Sequence, residues 1–202
     1  WILDDKHFPS GYANGIFEEK YKHLQAFSIT EKHIDVAGPI KDGCAMATCH
    51  LIDADDEMLG VFALKHIPNS DKYTEIIDIT DGISGDMVYF DLAEGMWRIV
   101  FVIKTRRGRA PRLMPFCDML NPKATELFIE EVYQPHYDRF SEYFGNTFLG
   151  FFSDEPSFLN DTEHKFSTDM GEAFAYHPWN DTLKEVLEFG NIAGLWFSVE
   201  NI

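Results

Sequence analysis

Residues 1–25 and 108–202 read as α/β structure, with an all-β, sandwich-like module at residues 26–107 set between them. Three observations predict this division. Short β-rich runs separated by turn residues recur between Ala26 and Arg107, the stretch Leu113–Phe152 reads as strand, helix, strand, and the chain opens on the apolar triplet Trp1-Ile2-Leu3. A strand–helix–strand order is one unit of a parallel sheet, whereas many short strands at close spacing mark an antiparallel sandwich or barrel.

The first element is Trp1-Ile2-Leu3, a short buried strand with Asp4-Asp5 where it emerges. Phe8–Gly15 is a loop punctuated by Pro9, Gly11 and Gly15, and Glu18–Leu24 is a short helix. Within the module the predicted strands are Ala26–Thr30, His33–Val36, Ala45–Ile52, Gly60–Lys65, Tyr73–Ile79, Met87–Leu92 and Trp97–Lys104. Ala37-Gly38-Pro39, Asp81-Gly82 and Glu94-Gly95 are read as the turns between them. After a further strand at Leu113–Cys117, Asn121 reads as a helix N-cap with Pro122 in the first turn. That helix runs to Phe144, with Gly145 as its left-handed stop and Pro135 as an internal kink. Thr147–Phe152 follows as a nearly all-apolar strand buried on both faces, and a last helix is expected at Thr182–Phe189.

Composition narrows the function classes. The 202 residues are 45% hydrophobic and 25% charged, which excludes wholesale disorder. A net charge of -17 argues against nucleic acid or an anionic membrane as partner, because both carry the same sign. The one basic cluster, Lys104 to Arg112, is local and reads as a solvated loop. No run reaches the roughly 20 apolar residues of a membrane span. Aromatic residues make up 15% of the chain, enough to fill a core and still stack on sugar rings. Cys44, Cys49 and Cys117 are too few for a disulfide framework and favour a reducing compartment such as the cytoplasm. Export stays open, because the start at Trp1 and the apolar run Leu195–Val199 suggest that both ends are cut from something longer. Oligomeric state is not legible.

Two acidic pairs stand at strand ends: Asp4-Asp5 after the first strand and Asp154-Glu155 after Thr147–Phe152. Polar groups at the carboxyl ends of parallel strands converge on one face. Paired carboxylates suit glycosidic cleavage, in which one protonates the leaving oxygen and the other attacks the sugar or activates water. Phe151, Phe152 and Phe158 can supply the apolar surround that keeps one acid protonated. Other features carry less. Cys44-x4-Cys49-His50 has poor zinc spacing, and Asp53–Glu57 imitates a calcium loop but has Met58 where the glycine belongs. No metal ligand set is assigned and no cofactor is required, with calcium left open. Asn160-Asp161-Thr162 and Asn180-Asp181-Thr182 match the glycosylation sequon. Phosphate-cradling glycine loops and a Gly-x-Ser-x-Gly elbow are absent from the sequence.

Several segments together resemble a known family. Trp1 to Gly11, Leu92-Ala93-Glu94-Gly95-Met96-Trp97-Arg98, Asp118 to Pro122, Tyr143-Phe144-Gly145 and Gly150 to Pro156 resemble, in order and spacing, large bacterial glycoside hydrolases related to the family 106 α-L-rhamnosidases. The likeness covers most of residues 1–160. At the first segment the family's Tyr-Asp-Glu stands here as Leu3-Asp4-Asp5, which shifts Asp5 from catalysis to substrate binding. The resemblance implies a partial (β/α)8 barrel, residues 1–25 and 108–202, interrupted by the β-module. It implies exo-acting hydrolysis of a glycoside or oligosaccharide, with Glu155 as general acid and Asp154 orienting it or binding sugar. Asp4, Asp5, His7 and Asn160 are then the substrate-binding candidates. The remaining residues are too few to close a barrel, so the second catalytic carboxylate is expected beyond Ile202. The competing reading is a non-catalytic carbohydrate-binding protein.

Overall fold

The computed structural model describes residues 1–6, 10–70, 72–106, 116–154 and 177–181. Its strands are β1 (Ile2–Leu3), β2 (Phe27–Met46), β3 (Glu57–His66), β4 (Tyr73–Asp78), β5 (Ile83–Ser84), β6 (Met87–Thr105), β7 (Phe151–Phe152) and β8 (His177–Trp179). Its α-helices are α1 (Ile16–Glu19), α2 (Pro122–Phe128) and α3 (Gln134–Phe140). The chain divides into two compact units: Trp1–Ser28 with Arg107–Asn180, and Ile29–Arg106 with Asp181–Ile202.

The second unit is an antiparallel sheet in the order β4-β3-β6-β2, with β5 on β6. Val61 of β3 pairs with Phe101 of β6, and Leu64 pairs with Ile76 of β4. Trp97-Arg98-Ile99-Val100-Phe101-Val102-Ile103, rich in β-branched and aromatic residues, is buried almost throughout and forms the spine of this sheet. Several expected strands are one strand. Ala26–Thr30 and His33–Val36 merge into β2, and Met87–Leu92 and Trp97–Lys104 merge into β6. Ala37-Gly38-Pro39 and Glu94-Gly95, read as turns, lie inside these long strands, whereas Asp81-Gly82 is a turn between β4 and β5. Val88, Phe90 and Leu92 face the same core as Trp97, Ile99 and Phe101, although a regular strand would put even and odd positions on opposite faces. The change of phase falls around Gly95, whose φ of 140° glycine accepts readily. In β2, Ile34, Val36 and Ile40 share that core with Ala45, and Asp42 at φ 53° lies at the corresponding change.

In the first unit, the Asn121 side chain accepts a hydrogen bond from the Lys123 N–H at 3.0 Å, with Pro122 in the first turn, as the sequence predicts. Ala124, Phe128 and Val132, four residues apart, lie on one face and pack with Ala13, Phe17, Leu24 and Cys117. Between α2 and α3, Ile129–Tyr133 is a π-turn that ends with the Gln134 N–H donating to the Ile129 carbonyl. Pro135 has no N–H to donate and its ring crowds the preceding turn, and the widened turn stands directly before it. Among the described residues no helix is long and apolar enough to cross a membrane.

The partial (β/α)8 barrel, the TIM architecture, is not what this chain adopts. Among the described residues the fold is mostly antiparallel β, and the α-helices are only 4, 7 and 7 residues long. The parallel ladder joins β1 to β7 through two residue pairs, Ile2 with Phe151 and Leu3 with Phe152. Much of the described chain is instead committed to the antiparallel sheet. In the β-module, β2 and β6, 20 and 19 residues long, run through a single antiparallel sheet. β1 and its partner segment are not buried as expected: Trp1, Leu3, Leu149 and Phe152 are exposed, since a two-stranded ladder has little to pack against. The expected helix at Thr182–Phe189 lies outside the described residues.

A side chain at Gly38 would place its Cβ 2.0 Å from the Ala93 carbonyl oxygen, whereas a Cβ on Gly85 (φ 60°) meets nothing within 4 Å. Gly38→Ala is therefore expected to cost about 2–3 kcal/mol by denaturant unfolding. Gly85→Ala should cost only about 1 kcal/mol, the left-handed backbone penalty alone. Equal losses in the two variants would contradict the close strand contact at Gly38.

Candidate functional site

The first unit brings the two acidic strand ends together. The parallel register of β1 and β7 continues as Asp4 N–H donating to the Phe152 carbonyl at 3.1 Å and Ser10 N–H donating to the Asp154 carbonyl at 3.0 Å. Both Asp4 and Asp5 are buried. A buried carboxylate needs donors, and each finds a different set.

Asp4 is held by hydroxyls. Its Oδ1 accepts from Ser10 Oγ at 2.7 Å and its Oδ2 from the Tyr133 hydroxyl at 2.9 Å. Ser10 Oγ in turn accepts from the Asp154 N–H at 3.0 Å, so a single serine links the two strand ends. Asp5 is held by the main chain: its Oδ2 accepts from the N–H groups of Gly11, Tyr12 and Ala13 at 3.1, 2.7 and 2.8 Å. Ala13 and Asn14 have φ of 48° and 55°, a backbone region non-glycine residues rarely occupy. The Asp5 carboxylate fastens the loop in that shape.

Tyr133 is the last residue of the π-turn, and its ring packs edge-on against Phe151 at 4.4 Å between centroids. Burial, and then the hydrogen bond donated to Asp4, push its phenol up to about 12. It is accordingly a protonated donor at neutral pH. Asp4, Ser10, Tyr133 and Ser153 form the polar side of a pocket of about 660 Å³. Cys117, Met119, Phe128 and Ile129 form its apolar side. That combination of an apolar wall with a few converging polar groups is what small-molecule sites require.

Of the residues expected to carry chemistry, the structure places Asp4 in the pocket and Asp154 beside it, with Asp154 joined to Ser10 through its main chain. Asp5 serves the loop. Glu155, His7 and Asn160 lie outside the described residues. Ser10 and Tyr133 were not among the expected site residues. Ser10 had only its place in the Pro-Ser-Gly loop to mark it, and Tyr133 meets Asp4 across 129 positions of sequence. Among the described residues no group of three or more His, Cys, Asp or Glu is placed to hold a metal ion. In the calcium-like loop, Asp56 Oδ2 accepts from the Ile52 and Asp53 N–H groups, closing a turn. No family model, curated protein or solved structure matches this chain.

The raised Tyr133 phenol has a consequence for alkaline stability. Between about pH 10 and 12 the folded chain keeps a proton that the unfolded chain releases, so stability present below pH 10 is lost as pH rises. Denaturant unfolding across this window should show a steeper loss for the wild type than for Tyr133→Phe. Parallel pH profiles would remove the basis for a buried Tyr133–Asp4 contact.

Proposed function

We propose that this chain carries the carboxylate site of an exo-acting, α-L-rhamnosidase-like glycoside hydrolase, acting on a glycoside or oligosaccharide. The observation that supports this reading most directly is the β1–β7 register, which sets Asp4 and Asp154 at the same end of two parallel strands. The ordered motifs resembling the family 106 enzymes support it independently.

In this reading Glu155 is the general acid that protonates the departing glycosidic oxygen, and Asp154 orients it or binds sugar. Asp4 binds a sugar hydroxyl. Its oxygens are already fixed by Ser10 and Tyr133, and a carboxylate with spare lone pairs accepts further hydroxyl donors. The Met119, Phe128 and Ile129 wall receives the C–H face of the sugar ring. Asp5 holds the loop that delivers Ser10.

Aryl glycosides, α-L-rhamnosides included, provide the test. Glu155→Gln should lower kcat by about 10²- to 10⁴-fold, the ordinary contribution of a positioned acid. Asp4→Asn should act mainly by raising KM. Undiminished turnover in Glu155→Gln would remove that residue as the acid, and no turnover of any substrate by the wild type would remove hydrolysis.

A further inference from the structure

The second unit has a groove that plays no part in the reading above. It encloses about 870 Å³ and is lined by side chains of β2, β3 and β6 and by the Ile67–Ser70 turn. A ladder of polar groups crosses four adjacent strands here, three of them in the groove's lining and the fourth, Tyr73, outside it. Arg98 of β6 forks onto Asp35 of β2, with Nε to Oδ1 at 2.8 Å and Nη2 to Oδ2 at 2.9 Å. His66 Nε2 of β3 lies 3.9 Å from the same Asp35 Oδ1, and its ring stands 4.8 Å from that of Tyr73 of β4. The Arg98 guanidinium holds the Asp35 carboxyl below its ordinary range, chiefly through the hydrogen bonds of the fork.

A ladder of this kind can simply brace the sheet, and exposed ion pairs contribute little to stability. Two further observations point to a ligand. The first is Lys65. Its stem crosses Gly95, where an added Cβ would lie 2.7 Å from Lys65 Cε, and its ammonium stands 5.4 Å from the Trp97 ring centroid. Among the described residues it forms no ion pair with a carboxylate, in a chain of net charge -17. A cation with three donors is therefore presented to the groove. The second is the balance of charge. Lys65 and Arg98 are matched by Asp35 and Glu94 in the lining, so the groove offers donors and acceptors with no net sign when His66 is neutral. A polyanion or a polycation would meet as much repulsion as attraction there. Hydroxyl groups, which donate and accept at once, meet neither.

We infer that this groove binds a neutral oligosaccharide, with Lys65, Asn69 and the Asp35–Arg98 fork contacting its hydroxyls. Asn69, at φ 60° in the rim turn, supplies an amide that both donates and accepts. The inference rests on the proposed glycoside chemistry for its ligand class alone, and the groove lies in a different unit from the Asp4 pocket.

Isothermal titration of the whole chain with neutral malto-, xylo-, manno- and cello-hexaoses, and with anionic hexagalacturonate, tests it. At least one neutral hexaose should bind, and Lys65→Ala should weaken that binding at least about tenfold, as expected for a lost hydrogen bond to a charged group. Asn69→Gly, which keeps the left-handed backbone, should weaken it too and serves if Lys65→Ala fails to fold. Asp4→Asn and Glu155→Gln should leave it unchanged. Binding to none of the neutral hexaoses, binding to hexagalacturonate alone, or undiminished binding in a folded groove variant would overturn the inference. Groove binding without turnover would count against the proposed hydrolysis only, and turnover without groove binding against this inference only.

Discussion

A carboxylate withdrawn from water must be met by donors, and two such groups stand side by side at the end of β1. Much of the first unit's local geometry answers that demand. Asp5 takes three main-chain N–H groups and thereby fixes the left-handed turn at Ala13 and Asn14. Asp4 takes two hydroxyls, one from the loop so fixed and one from the π-turn. Adjacent residues of one chemical type thus have separate duties. One builds the loop, and the other faces the pocket that the loop helps to form.

The second unit depends on a different constraint, the need of two very long strands to keep one core on one side. A strand of 19 residues with strict alternation would extend straight past any compact core. β6 meets the core twice because its phase changes around Gly95, and β2 does likewise around Asp42. The glycine has a second effect, since the space it leaves lets the Lys65 stem pass over the strand. Folding and surface chemistry are joined at that position.

Local patterns were legible in the sequence; their continuity was not. The apolar run from Trp97 to Ile103 announced the central strand, and Asn121-Pro122 announced the start of α2, because both signals depend on neighbours along the chain. Glu94-Gly95 and Ala37-Gly38-Pro39 read as turns, since Gly and Pro punctuate strands and loops alike and only the partner strand decides between them. The barrel expectation came with the family resemblance, and a single strand–helix–strand order does not by itself specify that architecture. Asp4 stood out because its position at a strand end is a local property. Tyr133 did not, because its contact with Asp4 is made by tertiary packing and nothing in its flanking residues encodes it.

The π-turn also separates two allegiances within one helical run. One additional residue in a turn rotates everything after it relative to everything before. Ala124 and Phe128 ahead of that offset, and Val132 within it, serve the core with Phe17 and Leu24. Tyr137 and Phe140 beyond it address a separate aromatic group, meeting Phe144 at 5.4 Å and Phe148 at 5.8 Å. The turn works like a frameshift written in three dimensions: each half of the helix is read by a different neighbour, and Tyr133 stands at the junction.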